Sequence, residues 1–552
     1  MKIRFTDADR QQMESLGIDA AQVLEQLQFF SKTDISTRLN RACTLGDGIR
    51  KIGQADADKY LALHREAARS GRFMKFVPAS GAATRMFQSL LQIYYLPQFL
   101  EKDELYKRVR QGVAIACDFT RFIEHLDRFA FVDDLRKALA RDGIVLEDAV
   151  RFGRFRTVLE YMLTERGLNY GVLPKALLKF HSYADEYRTA FEEQLAESVS
   201  FLGGESGRCK LHFTVPPEHE PGFIALVEKV GRSYEERYDT TFDVCFSFQK
   251  PSTNTIAADT KNNLFRDRFG RLHFRPAGHG ALLENLNDLQ ADLIYIKNID
   301  NIVPDRLKEP VSYWKRILGG YLVSIQQEMS SLVRRMRAAV SSLESADTIR
   351  EAAGFARREL LLHFPEGFET WSEDRQRDFL IGRFDRPIRV CGVVPNAGEP
   401  GGAPFWVEEE GGDVSVQIVE KAQVDLGSAQ QEKIWKSSTH FNPVDIVCST
   451  RDFDGKPYDL KQFVDRNAVL ISKKSKDGTD IRALELPGLW NGSMARWTTV
   501  FVEVPPETFN PVKSVYDLLR PEHQPGERMR RTGDRKQQPK SNPGLSASPS
   551  PT

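Results

Sequence analysis

Cysteine is scarce and scattered in this chain of 552 residues: Cys43, Cys117, Cys209, Cys245, Cys391 and Cys448 form no C-x-x-C pair and no metal-ligand spacing. That excludes a disulfide-stapled scaffold and a thiolate zinc site, and it predicts reduced thiols. Neither sign of charge is in excess, since Lys+Arg and Asp+Glu both total 77. Bulk electrostatics therefore steers the chain to neither nucleic acid nor an anionic membrane, and any anion site must be built locally. No uninterrupted apolar run is long enough to span a bilayer, and the opening MKIRFTDADRQQ alternates charges where a secretory signal would carry an apolar stretch. A cytoplasmic location is the expectation. No internal repeat is present either. With 41% hydrophobic and 28% charged residues, the chain has material for a large core, in more than one domain or in one elaborated domain.

The most informative stretch that is present is RFMKFVPASGAATRMF, Arg72 to Phe87. It reads as a buried strand, a small-residue turn and a helix start. Ser80, Gly81, Ala82, Ala83 and Thr84 are small enough for backbone N–H groups to approach an anion. A helix N-terminus adds partial positive charge, and Arg85 adds a full one. Tight strand-to-helix packing is the other use of such a turn.

Up to residue 70, Met13, Leu16, Val23, Leu24, Leu27 and Phe29 recur at helical intervals, which predicts an N-terminal helical extension. Residues 71–520 read as the main domain, with helical inserts at about 88–167 and 312–364. The second insert reads as a packed helical insert or arm in preference to a coiled-coil partner site. From Lys210 the pattern changes to KLHFTV, then EPGFIALVEKVGRSYEERY, then TFDVCFSFQ, and later ADLIYIKNID. Strand, helix, strand at that spacing predicts an α/β fold with a parallel sheet and crossover helices, whose ligands bind at the carboxyl ends of the strands. Strands return from Arg389. Residues 521–552 are rich in Pro, Ser and Arg, which predicts a disordered, solvated tail and not a nucleic-acid arm.

Several segments stand at predicted strand ends. Gln249 in FSFQKPSTNTIA can hydrogen-bond a base edge or stabilise its own turn. Gly278-His279-Gly280 in FRPAGHGALLENL allows close backbone approach to a flat ligand, and a lone His279 is otherwise a structural or surface histidine. ADLIYIKNIDN ends a buried strand in Asp300-Asn301, a position suited to Mg²⁺ with substrate phosphates or to capping the next turn. Gly398 to Gly412, GEPGGAPFWVEEEGG, is a sugar-covering loop or a surface hairpin.

In this order, these motifs resemble those of the UDP-sugar pyrophosphorylases, the nucleotidyltransferase family that includes the UDP-glucose and UDP-N-acetylhexosamine enzymes. SGAATRM resembles the family's GGxGTRM loop, with Ser80 and Ala83 in place of two glycines. LPKALLKF resembles its Pro-Lys turn and assigns phosphate binding to Lys175. FSFQKPS, PAGHGAL and IKNIDN resemble its Phe-x-Gln, PxGHG and metal-binding Asp-Asn segments. SVQIVEKAQV nominates Glu420 and HFNPVDIVC nominates Asn442 as sugar contacts, with Asp445 as a second metal contact. VLISKKSKDGTDIRALELPG assigns an active-site lysine to Lys474, or to Lys473 in a shifted register. Over nearly its whole length the chain resembles, more closely, a bacterial family known only as a domain of unknown function, through KFVPASGAATRMF, FSFQKPSTNTIA, FRPAGHGALLENLNDLQADLIYIKNIDN and GEPGGAPFWV.

The resemblance implies a nucleotide-diphospho-sugar transferase-like fold, Rossmann-like (GT-A), with a mixed, mainly parallel sheet and large helical insertions. It implies a reaction of a nucleoside triphosphate (UTP-like) with a sugar 1-phosphate, with Mg²⁺ as cofactor and with neither nucleic acid nor membrane as partner. Arg85, Lys175 and Lys474 are the implied catalytic cations; Ser80, Gly81, Ala82, Ala83, Thr84, Gln249, Gly278, His279 and Gly280 are the implied nucleotide contacts. A silent nucleotide-sugar binder and a glycosyltransferase on the same fold are the alternatives. The base, the sugar and the oligomeric state stay open.

Overall fold

The computed structural model describes residues 4–32, 36–96, 101–203, 207–338, 342–398, 401–409 and 412–526. The chain folds as two compact units. The first comprises Met1–Gly81, Gln194–Asn301 and Lys308–Pro511; the second comprises Ala82–Glu193, Ile302–Leu307 and the chain from Val512 onward.

The first unit is built on a nine-stranded sheet: β1 (Thr44–Leu45), β2 (Gly48–Arg50), β3 (Phe73–Pro78), β4 (Arg208–Thr214), β5 (Thr241–Ser247), β6 (Leu293–Lys297), β7 (Ile388–Pro395), β8 (His440–Ser449) and β9 (Thr498–Glu503). Their spatial order is β1-β2-β9-β7-β8-β6-β3-β4-β5. Only β8 runs against the rest, so the sheet is mixed and mainly parallel, as the resemblance implies, where the sequence pattern alone predicts a parallel sheet. The helix Glu220–Tyr238 is the crossover between β4 and β5. Because β3, β4 and β5 proceed to one side while β6 returns to the other side of β3, the strand order reverses between β3 and β6. In open sheets of this kind that reversal opens a crevice at the carboxyl ends.

The central strands are buried on both faces. Phe76, Ile294, Ile296, Cys391, Ile446, Cys448 and Phe501 form one core with Trp406 and Trp497, as parallel sheets covered by helices require. All six cysteines are unpaired. Among the described residues, no helix is long and apolar enough to cross a membrane.

The first 70 residues differ from a purely helical extension. Helices Asp7–Leu16, Ala20–Ser31 and Gln54–Arg69 are present, but β1 and β2 join the large sheet and Leu39–Ala42 pairs with Gly402–Glu408. That second pairing makes GAPFWV, the second half of GEPGGAPFWV, a buried strand, the middle one of a three-stranded sheet that ends with Val414–Glu420. The insert at 88–167 is helical throughout its named elements, and so is 312–364, through helices Asp305–Ala338 and Ser342–Arg358. The first residues of the expected disordered tail are ordered: Pro521–His523 forms a short turn in which His523 is buried. The remainder of that expectation, residues 527–552, lies outside the described residues.

His64, on helix Gln54–Arg69, is 3% exposed and stacks on Phe73 of β3 with centroids 4.8 Å apart. Burial pulls its pKa from 6.5 down to about 3. The unfolded chain therefore binds an extra proton below about pH 6.5, and stability falls with the pH from there toward 3. Between pH 7 and pH 5 the loss from this residue is ~2 kcal/mol. Urea unfolding of His64→Phe at the two pH values should show a loss smaller by that amount than wild type; equal losses would refute the assignment.

Candidate functional site

In the first unit, Ser80 and Gly81 follow β3 and Asp300 follows β6, adjacent parallel strands paired from Leu293↔Phe73 to Ile296↔Phe76, at the edge where the strand order reverses. Asp300 is 6% exposed. Its neighbour Asn301 accepts the Asn510 N–H at 2.9 Å, while the Asn301 amide nitrogen is buried without a hydrogen-bond partner. Gln249 follows β5 at the same edge, and its amide donates to Thr253 Oγ1 at 3.3 Å. Asn285 ties this strand end to the helix after the Gly-His-Gly turn, donating to Ser247 Oγ and to the Phe248 carbonyl, both at 2.8 Å.

The turn itself requires its glycines. Gly278 has φ +79°, and a Cβ on Gly280 would lie 2.1 Å from the Pro487 carbonyl oxygen. His279 between them is held on three sides. Its Nδ1 accepts the Leu489 N–H at 2.9 Å, its ring stacks on Trp490 at 4.2 Å and 17°, and its Nε2 lies 3.8 Å from Glu420 Oε1. Burial against these groups lowers the imidazole to about 4, so the neutral ring presents an Nε2–H toward the carboxylate. Burial pushes the Glu420 carboxyl up, opposed by hydrogen bonding from Trp490 and reinforced by the Glu485 charge. Gln423 accepts both the Glu420 N–H and the Asn491 amide at 2.9 Å, and the fully buried Arg389 of β7 donates to the Trp490 carbonyl. The fold thus brings Gly278-His279-Gly280 and Glu420 together around Trp490, a residue that the sequence reading passes over. Its only signal is the pair of turn dipeptides in PGLWNG, which reads as an ordinary loop.

The other implied sugar and metal contacts have different surroundings. Asn442 is 2% exposed and sits in an irregularity where β8 passes β7: its amide donates to the Gly392 carbonyl at 2.9 Å and its oxygen accepts the Val444 N–H at 3.0 Å. Val444 has φ +57°, an unfavourable angle for a β-branched residue, and the Asn442 side chain closes that bend. Asp445, level with Lys297 in the β8–β6 register, ion-pairs with Lys315 at 3.0 Å. Lys315 also faces Glu197 at 3.6 Å, and Glu197 binds Lys297 at 2.5 Å and Lys75 at 2.7 Å. Burial pulls Lys297 down to about 7. Lys474 and Lys473 are exposed on the hairpin strand Leu470–Lys476, where Lys474 pairs with Ile481.

In the second unit, Ala82 bridges Pro174 and the Ala83 N–H donates to the Leu173 carbonyl at 3.0 Å. Two segments far apart in sequence, the loop bearing Arg85 and the turn bearing Lys175, are therefore neighbours. Lys175 donates to the Val512 carbonyl at 2.9 Å, and Thr84 Oγ1 lies 3.5 Å from the Gly171 carbonyl. The expected helix start is a single 3₁₀ turn, Ala83–Arg85, and a helix proper begins only at Gln88. With the Ala83 amide engaged, that loop has one fewer donor for an anion than the sequence pattern predicts.

Mg²⁺ is the ion that the resemblance implies. It takes oxygen ligands and commonly binds through one or two carboxylates plus substrate phosphates. Asp300 at the end of a buried strand fits that description. Asp445 does not, because its carboxylate is already neutralised by Lys315. Among the described residues, no group of three or more His, Cys, Asp or Glu side chains is arranged to hold a metal ion.

Comparison with solved structures finds similarity to UDP-glucose pyrophosphorylase of Leishmania major, in a point variant complexed with UDP-glucose, at 10% identity and TM-score 0.40, covering 94% of this chain and 79% of that one. The chain is also similar to a UDP-glucose phosphorylase of Trypanosoma brucei (13%, 0.41, covering 94% and 80%). Uridine diphosphate N-acetylglucosamine pyrophosphorylase of the same organism, complexed with an inhibitor, is a further similar structure (12%, 0.44, covering 93% and 79%). No curated protein sequence matches the chain. The model of a family described as a domain of unknown function (DUF4301) matches residues 6–524, nearly the full length, and the chain belongs to that family.

Proposed function

We propose that the protein is a sugar-1-phosphate nucleotidyltransferase, uridylyltransferase-like, that makes a nucleoside diphosphate sugar and pyrophosphate. One observation carries the reading: Ser80-Gly81 and Asp300 follow β3 and β6 at the carboxyl edge where the strand order reverses, on the sheet whose β5 leads into Gln249. In this reaction a sugar phosphate oxygen attacks the α-phosphorus of the triphosphate, the bond to the β-phosphate breaks, and pyrophosphate leaves. Such transfer needs alignment and charge neutralisation more than covalent help. Gln249 and the Gly278-His279-Gly280 turn would bind the base, and Glu420, oriented by Trp490, would accept a sugar hydroxyl. Mg²⁺ held by Asp300 would supply positive charge at the phosphates. The roles of Arg85, Lys175 and Lys474 as phosphate-binding cations, and of Asn442 beside the sugar, belong to the same proposal.

The test is pyrophosphate release by the purified chain with Mg²⁺, using a panel of nucleoside triphosphates against a panel of sugar 1-phosphates. Release should require both substrates. Asp300→Ala should lower it by roughly 10²–10³, equivalent to about 3–4 kcal/mol of transition-state stabilisation. A second reading, nucleotide-sugar binding without transfer, is favoured by the Ala83 amide being spent on the Leu173 carbonyl. Silence across the panel together with thermal stabilisation by a nucleotide sugar would select that reading. Silence without stabilisation would defeat both.

A further inference from the structure

We propose that the ammonium of Lys315 is the resident cation of Asp445, in place of a second divalent metal ion, so that this chain takes at most one such ion at its strand ends. The Lys315 nitrogen lies between two buried carboxylates, 3.0 Å from Asp445 Oδ2 and 3.6 Å from Glu197 Oε1. It is fixed there from both ends, because the backbone carbonyl of the same residue accepts the Tyr295 hydroxyl at 2.9 Å. Lys315 is 2% exposed, Glu197 0% and Asp445 6%. Lys75 and Lys297 complete the cluster from β3 and β6, so three ammonium groups face two carboxylates. A divalent ion at Asp445 would add two positive charges beside lysines that already balance the two buried carboxylates, and in such a buried cluster like charges repel strongly. The ammonium already supplies the charge and directional N–H donors that a carboxylate there needs.

The inference concerns the charge on Asp445 and holds whether or not the protein transfers nucleotides. It is tested by counting Mn²⁺ ions bound to the full-length protein by electron paramagnetic resonance. Wild type should hold no more than one tight ion; two would overturn the proposal. The double variant Lys315→Met/Asp445→Asn removes one charge of each sign and should bind Mn²⁺ within twofold of wild type, whereas loss of an ion or tenfold weaker binding would overturn it. Lys297→Met/Lys315→Met strips the cation from Asp445 and leaves Glu197 only Lys75, and this variant should gain one Mn²⁺ and melt at a higher temperature in its presence. Failure to gain an ion would also overturn the proposal. Should a variant not fold, the wild-type count still decides.

Discussion

Replacing Glu197 by Gln should destabilise the protein by about 3–5 kcal/mol, the cost of breaking a buried ion pair by removing one partner. Glu197 is fully buried and binds Lys75 at 2.7 Å and Lys297 at 2.5 Å, with Lys315 at 3.6 Å. Burial alone pushes its carboxyl up, but the charges of Lys297, Lys315 and Lys75 outweigh that and hold it well below the ordinary carboxylate range. Without it, three buried ammonium groups would share Asp445 alone. The opposite change, Lys297→Met, leaves two cations and two anions and should cost less than about 1 kcal/mol, because a well-packed apolar residue can replace a buried charge at little cost. Urea unfolding of both variants at pH 7 measures the contrast. Equal destabilisation by the two would mean that charge imbalance is not what governs this cluster.

Gly320→Ala should cost about 3 kcal/mol, at the upper end of what overpacking produces. A Cβ at Gly320 would stand 1.7 Å from the Tyr60 carbonyl oxygen, closer than any real contact, and that oxygen belongs to the backbone and has no rotamer to escape into. The adjacent Gly319 is as constrained, its Cβ falling 2.0 Å from the Tyr295 hydroxyl that holds the Lys315 carbonyl. Together the two glycines let the helix Asp305–Ala338 pass directly against helix Gln54–Arg69 and β6, which is how Lys315 reaches the sheet. Gly382→Ala is the control: its Cβ would meet nothing within 4 Å, and in the last turn of helix Glu373–Phe384 it should be neutral or slightly stabilising. Similar losses from both variants would show that the close approach at Gly320 does not set the cost.

The parts of this fold legible in the sequence are those encoded by local periodicity. KLHFTV, the long amphipathic run from Glu220 and TFDVCFSFQ become β4, the helix Glu220–Tyr238 and β5, because strand and helix patterns depend on residues two to four apart. Gly278-His279-Gly280 is legible as a turn for the same reason. The strands β1 and β2 are not legible: two or three residues carry no alternation, and they are strands only because β9 offers an edge to pair with.

What the sequence by itself determined was the alternation of strands and helices, the polar residues at strand ends and the glycine turn, all of which are properties of neighbouring residues. Tertiary structure alone decided which of those residues share surroundings. Lysine is the residue least expected in a core, and Lys297 looks like an exposed strand end until Glu197 arrives from a helix 100 residues away. Asp445 reads as a metal ligand until Lys315, 130 residues distant, reaches it at 3.0 Å. Trp490 reads as a loop residue until the fold lays His279 on its face. Partnership between such groups is set by desolvation and charge in a packed interior, and no local pattern records it.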